Sequence, residues 1–79
     1  MRRSNARAVA TLEAVKLAGD PTRLQAAPDR ELVVAAATLA KGLVVALDAG
    51  GLRTQRAMAF DVLDTAGRAI GRELRRRRG

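Results

Sequence analysis

Arginine is the residue type in this sequence best suited to chemistry. Six arginines lie at short spacing near the C-terminus, and the last four are consecutive. A guanidinium can bind phosphate through two parallel hydrogen bonds and keeps its charge at cellular pH. Contacts with a phosphate backbone need no base recognition, so the cluster predicts electrostatic, weakly sequence-selective binding of nucleic acid. The candidate residues are Arg68, Arg72, Arg75, Arg76, Arg77 and Arg78.

The distribution of charge supports this prediction. Residues 1–27 carry a net charge of +3, residues 28–51 carry −1 and residues 52–79 carry +5, which gives +7 for the chain. Arg2, Arg3 and Arg7 form a second basic group that could take part in binding. Two alternatives stay open for the C-terminal arginines. They are a solvated helix end that complements the helix dipole, or a site that docks on an acidic protein surface.

The residues needed for catalysis are largely missing. The sequence has no His and no Cys, which removes the usual nucleophiles, general bases and transition-metal ligands. Asp61 and Asp64 are close enough on a predicted helix to consider a divalent cation, but Arg68 one turn later favours an ion pair. No phosphate-binding glycine loop is present. We therefore expect a protein that is not an enzyme and that has no metal or cofactor.

Sequence-specific recognition of nucleic acid is not expected either. Phe60 is the only aromatic residue, and its spacing predicts a place in the core rather than a platform for base stacking. The segment 64–77 is not followed by the second helix that a helix-turn-helix needs. Residues 1–10 favour a helix, whereas a ribbon-helix-helix protein begins with a strand.

The central element is an apolar helix predicted at about 29–48. Its residues Glu31, Thr38, Lys41, Gly42 and Asp48 fall on a narrow polar arc, into which Val34 and Val45 intrude. A helix this apolar must be covered on more than one side, so we expect the chain to form a homo-oligomer. The broad apolar arc contains Leu32, Ala35, Ala36, Leu39, Ala40, Leu43, Ala46 and Leu47.

This apolar arc also suggests a second function. The protein could be a structural or adaptor subunit of a larger helical assembly, for example a phage particle or a regulatory complex. The interface residues would then be Leu32, Leu39, Leu43 and Leu47.

Two further helices flank the central one. The first is predicted at about 5–18 with a face of Val9, Leu12 and Val15, from which Leu17 lies apart. Residues 20–28 form a connection in which Thr22 could start one turn that carries Leu24 inward. The third is predicted at about 52–77, and its buried stripe is Phe60, Leu63, Gly67, Ile70 and Leu74.

The predicted fold is a small, all-α, three-helix domain over residues 1–79. Gly50-Gly51 permits a tight reversal, so the second and third helices should form an antiparallel hairpin. The third helix is the longer one, and its basic end at 75–79 should overhang its partner. Small residues at Gly67 and Gly71 are expected to let helices pack closely, within the chain or in a dimer.

The sequence predicts a soluble, cytoplasmic protein. Glu13 and Lys16 interrupt any apolar segment that a secretory signal would need. The apolar run 32–47 contains Lys41 and is shorter than the roughly 20 residues that span a bilayer. A helix that lies on a membrane surface is a minor alternative.

Overall fold

The chain is helical over almost all of the residues that the structure describes. The computed structural model describes residues 3–48 and 53–79, so the predicted turn at Gly50-Gly51 lies outside them. These two ranges contain no strand, which confirms the predicted all-α class, and the body measures 40 × 29 × 17 Å. None of their helices is long and apolar enough to cross a membrane. The helices are α1 (Arg3–Ala18), α2 (Pro21–Ala26), α3 (Asp29–Asp48) and α4 (Arg53–Arg78).

The short helix α2 lies where the sequence predicted a connection with a single turn. Asp20 caps it, because its Oδ1 accepts hydrogen bonds from the backbone N–H of Thr22 at 3.1 Å and of Arg23 at 3.3 Å. Pro21 occupies the first helical position, where its missing N–H has no consequence. The helix therefore begins one residue before Thr22. Leu24 is partly buried against the core, as predicted.

α3 and α4 run in opposite directions along each other. Asp29 at the start of α3 meets Arg77 near the end of α4, with 2.7 Å between Oδ1 and Nη1. Further along α3, a Cβ added to Gly42 would lie 3.3 Å from Cδ1 of Leu63, which is earlier in α4. The residues that join the two helices lie outside the described ranges, so the hairpin itself stays a prediction.

α1 contacts both of these helices and runs in the same direction as α4. The same Cβ on Gly42 would lie 3.5 Å from Cγ2 of Thr11, so α1, α3 and α4 meet there. At the end of α1, Ala18 lines an open surface depression together with Ala69 of α4. The start of α1 at Arg3 therefore lies at the end of the body that is remote from the C-terminal arginines.

The core is built from leucine, isoleucine and alanine. Leu32, Leu39 and Ile70 are fully buried. Alanine at the remaining contacts lets the helix axes approach closely, since each alanine contributes little bulk. The buried cluster comprises Ala14, Leu17, Ala27, Leu32, Ala35, Leu39, Leu63, Ala66 and Ile70.

The predicted buried face of α1 is wrong at two of its three residues. Val9 and Leu12 are 55% and 52% exposed, whereas Leu17 is 4% exposed. Val15 is partly buried against the core, as predicted. α1 turns a stripe of Thr11, Ala14 and Leu17 toward α3 and α4, and the small Thr11 lies where the three helices meet. Val9 and Leu12 therefore face outward.

The predictions for Phe60 and Gly42 are also wrong, and for Gly67 and Gly71 one of the two predicted alternatives is not seen. Phe60 is 39% exposed, because it lies about 80° around α4 from Ile70, at the edge of the buried stripe. Gly42 was placed on the polar arc of α3 but lies between α1 and α4. Close packing within the chain does not occur at Gly67 and Gly71, where an added Cβ would meet nothing within 4 Å.

Candidate functional site

The C-terminal end of α4 is joined to α2 and to the start of α3 by one arginine. Nη1 of Arg77 donates to Oδ1 of Asp29 at 2.7 Å. Nη2 of Arg77 donates to the carbonyl oxygens of Leu24 and Gln25, each at 3.0 Å. These carbonyls belong to the last turn of α2 and have no partner within their own helix. Arg77 therefore caps α2, and the last turns of α4 do not overhang as predicted.

A buried carboxylate completes this arrangement. Glu73 is 7% exposed, and its Oε2 accepts a hydrogen bond at 2.8 Å from Nε of Arg77, four residues later in α4. Arg76 donates to the same carboxylate from Nε at 3.1 Å and from Nη2 at 2.6 Å. Hydrogen bonds from Arg76 and Arg77, reinforced by their charges, lower the pKa of Glu73 to about 2. Glu73 is therefore an anion at neutral pH and does not act there as a proton donor or acceptor.

The same contacts fix the charge of both arginines. Hydrogen bonding to Glu73 raises the pKa of Arg76, and hydrogen bonding to Asp29 and then Glu73 raises the pKa of Arg77. The Arg77 side chain is only 20% exposed, whereas that of Arg76 is 64% exposed. The guanidinium of Arg77 is thus used in contacts within the chain, while Arg76 presents part of its guanidinium to solvent.

The other predicted arginines lie on the outer side of α4. Arg68 is an exposed ion pair with Asp64, with 3.1 Å between Nε and Oδ2, as the i, i+4 spacing predicted. Arg72, Arg75 and Arg78 are exposed. Within the described parts of the chain, none of these three has a carboxylate partner. They are the cations at this end with the most freedom to meet an external anion.

Two arginines that the sequence analysis did not select come to the same end of the body. Arg23 belongs to α2 and Arg30 is the second residue of α3, and both are exposed. Arg77 brings these helices against the end of α4, so three separate segments supply cations there. The available signal was the proline-started turn after Asp20. Read as a helix, it would have placed Arg23 on a defined element, while the contact of that element with the end of α4 is seen only in the structure.

The first turn of α1 is not brought to this end. α1 begins at Arg3 and runs parallel to α4, so this turn lies at the other end of the body. The side chains of Arg2, Arg3 and Arg7 lie outside the described residues. The two basic ends of the sequence are therefore separated along the body.

The predicted interface leucines lie mostly inside the chain's own core. Leu32 and Leu39 are 0% and 1% exposed, and Leu43 is partly buried against them. The side chain of Leu47 lies outside the described residues. The apolar surface that α3 presents to solvent is instead made of Val33, Val34, Val44 and Val45, which are 56% to 65% exposed.

Acidic residues in the described ranges do not assemble into a metal site. No group of three or more Asp or Glu side chains is close enough there to hold an ion. Asp64 is engaged with Arg68, and Glu73 is engaged with two arginines.

Comparison with protein-family models, with curated proteins and with solved structures gave no match. The function must therefore be argued from the residues of this chain.

Proposed function

We propose that this chain is a small, non-enzymatic, cytoplasmic protein that binds nucleic acid through the basic end formed by α2, the start of α3 and the end of α4. The observation that supports this most is the set of exposed arginines that have no carboxylate partner among the described residues, Arg72, Arg75 and Arg78. Arg23 and Arg30 add charge from neighbouring helices. Arg68 and Arg76 contribute through the exposed parts of their side chains.

The geometry suits a phosphate backbone better than bases. Arg68, Arg72 and Arg75 recur at intervals of four and three residues, so they line one face of α4 over about 10 Å. Binding would come from the release of counterions from the nucleic acid. Phe60 lies about 18 Å along the helix from Arg72 and is too far away to stack bases between these arginines.

Arg77 has a different role in this proposal. The sequence selects it with its neighbours, but three of its four hydrogen bonds tie α4 to α2 and α3, and the fourth goes to Glu73 within α4. We assign it to holding the basic end together, so that the other arginines are presented by a fixed scaffold.

The test is a titration of fluorescent duplex DNA across a salt series. We expect binding at low salt, with log K falling against log salt at a slope of about −4 or steeper, because at least four phosphates are neutralised. Replacing Arg75 and Arg78 by Gln should make the slope shallower by about 2. Both residues are exposed and unpaired, so the fold should be unaffected.

The matched control replaces Lys16 and Lys41 by Gln. Both double variants lower the net charge from +7 to +5, but Lys41 lies on α3 away from its basic start and Lys16 is paired with Glu13. The control should keep the wild-type slope. Absence of binding at low salt would overturn the proposal. It would also be overturned if the slope of log K against log salt became equally shallow in both double variants. A protein that fails to bind would lead us to test an acidic protein surface instead.

We propose self-association as a second property, with a structural or adaptor role as the alternative function. The exposed valines of α3 support it, because a continuous exposed apolar patch often marks an interaction site. We also propose that α3 and α4 form the predicted hairpin. The short segment between Asp48 and Arg53 and the opposite directions of the two helices support this.

A further inference from the structure

α3 carries a second apolar stripe on the side that faces away from the core. Val33, Ala37, Ala40 and Val44 are all exposed, and the two valines are 56% and 65% exposed. Their intervals of four, three and four residues are those of a seam between two packed helices. The leucines that fill the core lie about 90–130° around α3 from this stripe, and nothing in the described parts of the chain covers its four residues.

The stripe is symmetric about its own centre. Read in either direction, it has a valine, an alanine, an alanine and a valine at the same intervals. An antiparallel copy of the same helix would therefore place Val33 against Val44 of the partner subunit and Ala37 against Ala40 of the partner subunit. A two-fold axis requires this kind of self-complementary surface. The two central alanines would let the helices approach closely.

We propose that two copies of the chain pair through this stripe with their α3 helices antiparallel. This inference rests on the self-association proposed above and names its surface and direction. Val34 and Val45, at 59% and 58% exposed, lie about 90–110° around α3 from the centre of the stripe and extend the exposed apolar surface beyond Lys41.

The polar groups of α3 are compatible with pairing through the stripe. Thr38 lies about 130° around α3 from the stripe, and its hydroxyl donates to the carbonyl oxygen of Val34 at 2.9 Å. Lys41 is exposed at the flank, where a long side chain can extend its ammonium group past the interface into water.

Charge favours the antiparallel arrangement over the parallel one. Arg30 would lie beside the C-terminal end of α3 of the partner subunit, where the helix dipole is negative. A parallel pair would bring together two basic ends, each containing Arg72, Arg75 and Arg78. The antiparallel pair places these ends at opposite extremes of the dimer, so their repulsion is small.

The size of the stripe predicts a weak dimer. It spans 12 residues from Val33 to Val44, which gives a length of about 18 Å and, at a helix width of about 10 Å, a strip of roughly 180 Å². A standard interface buries about 800 Å² per partner, so the association should be weak and should depend on protein concentration. Each chain has a mass of 8.4 kDa.

The first experiment is sedimentation equilibrium over a range of concentrations. We expect the average mass to rise from 8.4 kDa toward twice that value. Val44→Lys should keep the chain monomeric throughout, because it places a charge at both symmetric ends of the seam. Val9→Lys is the matched control: Val9 is 55% exposed but lies on α1, and its variant should dimerise like the wild type. Circular dichroism should show both variants folded, since both sites are exposed.

The second experiment tests direction by disulfide formation. The chain has no cysteine, so each introduced thiol is unique. Antiparallel pairing predicts that a mixture of Val33→Cys and Val44→Cys chains oxidises to the mixed disulfide faster than Val33→Cys chains couple with one another. A monomer at every concentration would overturn self-association altogether. A dimer that is unaffected by Val44→Lys, or that couples 33 to 33 faster, would overturn only the surface or direction assigned here.

Discussion

Three glycines inside helices offer a test of the packing described above. Glycine in a helix interior costs about 0.5–1 kcal/mol relative to alanine. An added Cβ at Gly67 or Gly71 would meet nothing within 4 Å, so each Ala variant should gain most of that free energy of unfolding. For a domain of this size, 1 kcal/mol corresponds to about 4–8 °C in Tm. We therefore expect Gly67→Ala and Gly71→Ala each to raise Tm by roughly 4 °C.

Gly42 should respond differently, because it lies where α1, α3 and α4 meet. Its new Cβ would be 3.3 Å from Cδ1 of Leu63 and 3.5 Å from Cγ2 of Thr11, so a neighbour must move by a few tenths of an ångström. Leu63 is 8% exposed and has little room to do so. The gain in helix propensity is then largely cancelled, and Gly42→Ala should leave Tm nearly unchanged. Gly42→Val should destabilise the fold by about 1–3 kcal/mol, as overpacking of a core does.

Thermal unfolding followed by circular dichroism measures all four variants. It should be run at low protein concentration, where the chain is monomeric and any effect on self-association is avoided. The reasoning is refuted if Gly42→Ala stabilises the protein as much as Gly67→Ala does. It is refuted equally if both α4 variants are destabilising, since a neighbour would then have to occupy the space beside them.

Two further predictions concern the core and the buried carboxylate. Leu39→Ala should lower the free energy of unfolding by about 2–5 kcal/mol in urea denaturation, because Leu39 is 1% exposed. The control Leu12→Ala, at a position 52% exposed, should change it by no more than about 0.5 kcal/mol. The folded-state pKa of Glu73, about 2, lies below its ordinary 4.5, so the stability it contributes is complete above about pH 4.5 and is lost as the pH falls toward 2. Glu73→Gln should remove this part of the acid dependence of the urea midpoint, and an unchanged pH profile would contradict the assignment.

The helical class could be predicted because it depends on local signals. The Asp20-Pro21 pair and the apolar run after Pro28 are strong markers of where helices stop and start. The burial of Leu32 and Leu39 followed from periodicity alone. The buried face of α1 could not be predicted from periodicity. The larger apolar residues Val9 and Leu12 favour one face, whereas the contact with α3 and α4 uses Thr11 and Ala14. A hydrophobicity pattern favours large apolar residues as the buried ones. A site where three helices meet closely needs small residues instead.

The candidate site could be predicted only in part. A run of charge is visible in sequence, and so is its position at a helix end. That α2 would bring Arg23 to the same place was not visible, because a six-residue helix has too few positions to show a period. The sequence places Val34 and Val45 within the polar arc of α3. Whether these valines are exposed depends on which side of α3 the other helices cover.

The four consecutive arginines illustrate how register assigns different roles to identical residues. Successive residues of a helix are about 100° apart, so a run of four must cover every side of α4. Arg77 is seven residues from the fully buried Ile70 and therefore points in nearly the same direction, toward α2 and α3. Arg75 and Arg78 are turned away from that contact and remain unpaired within the described residues. A uniform basic tail would bind an anion with all four side chains, whereas this fold uses one of them to fix the scaffold and presents the others from it.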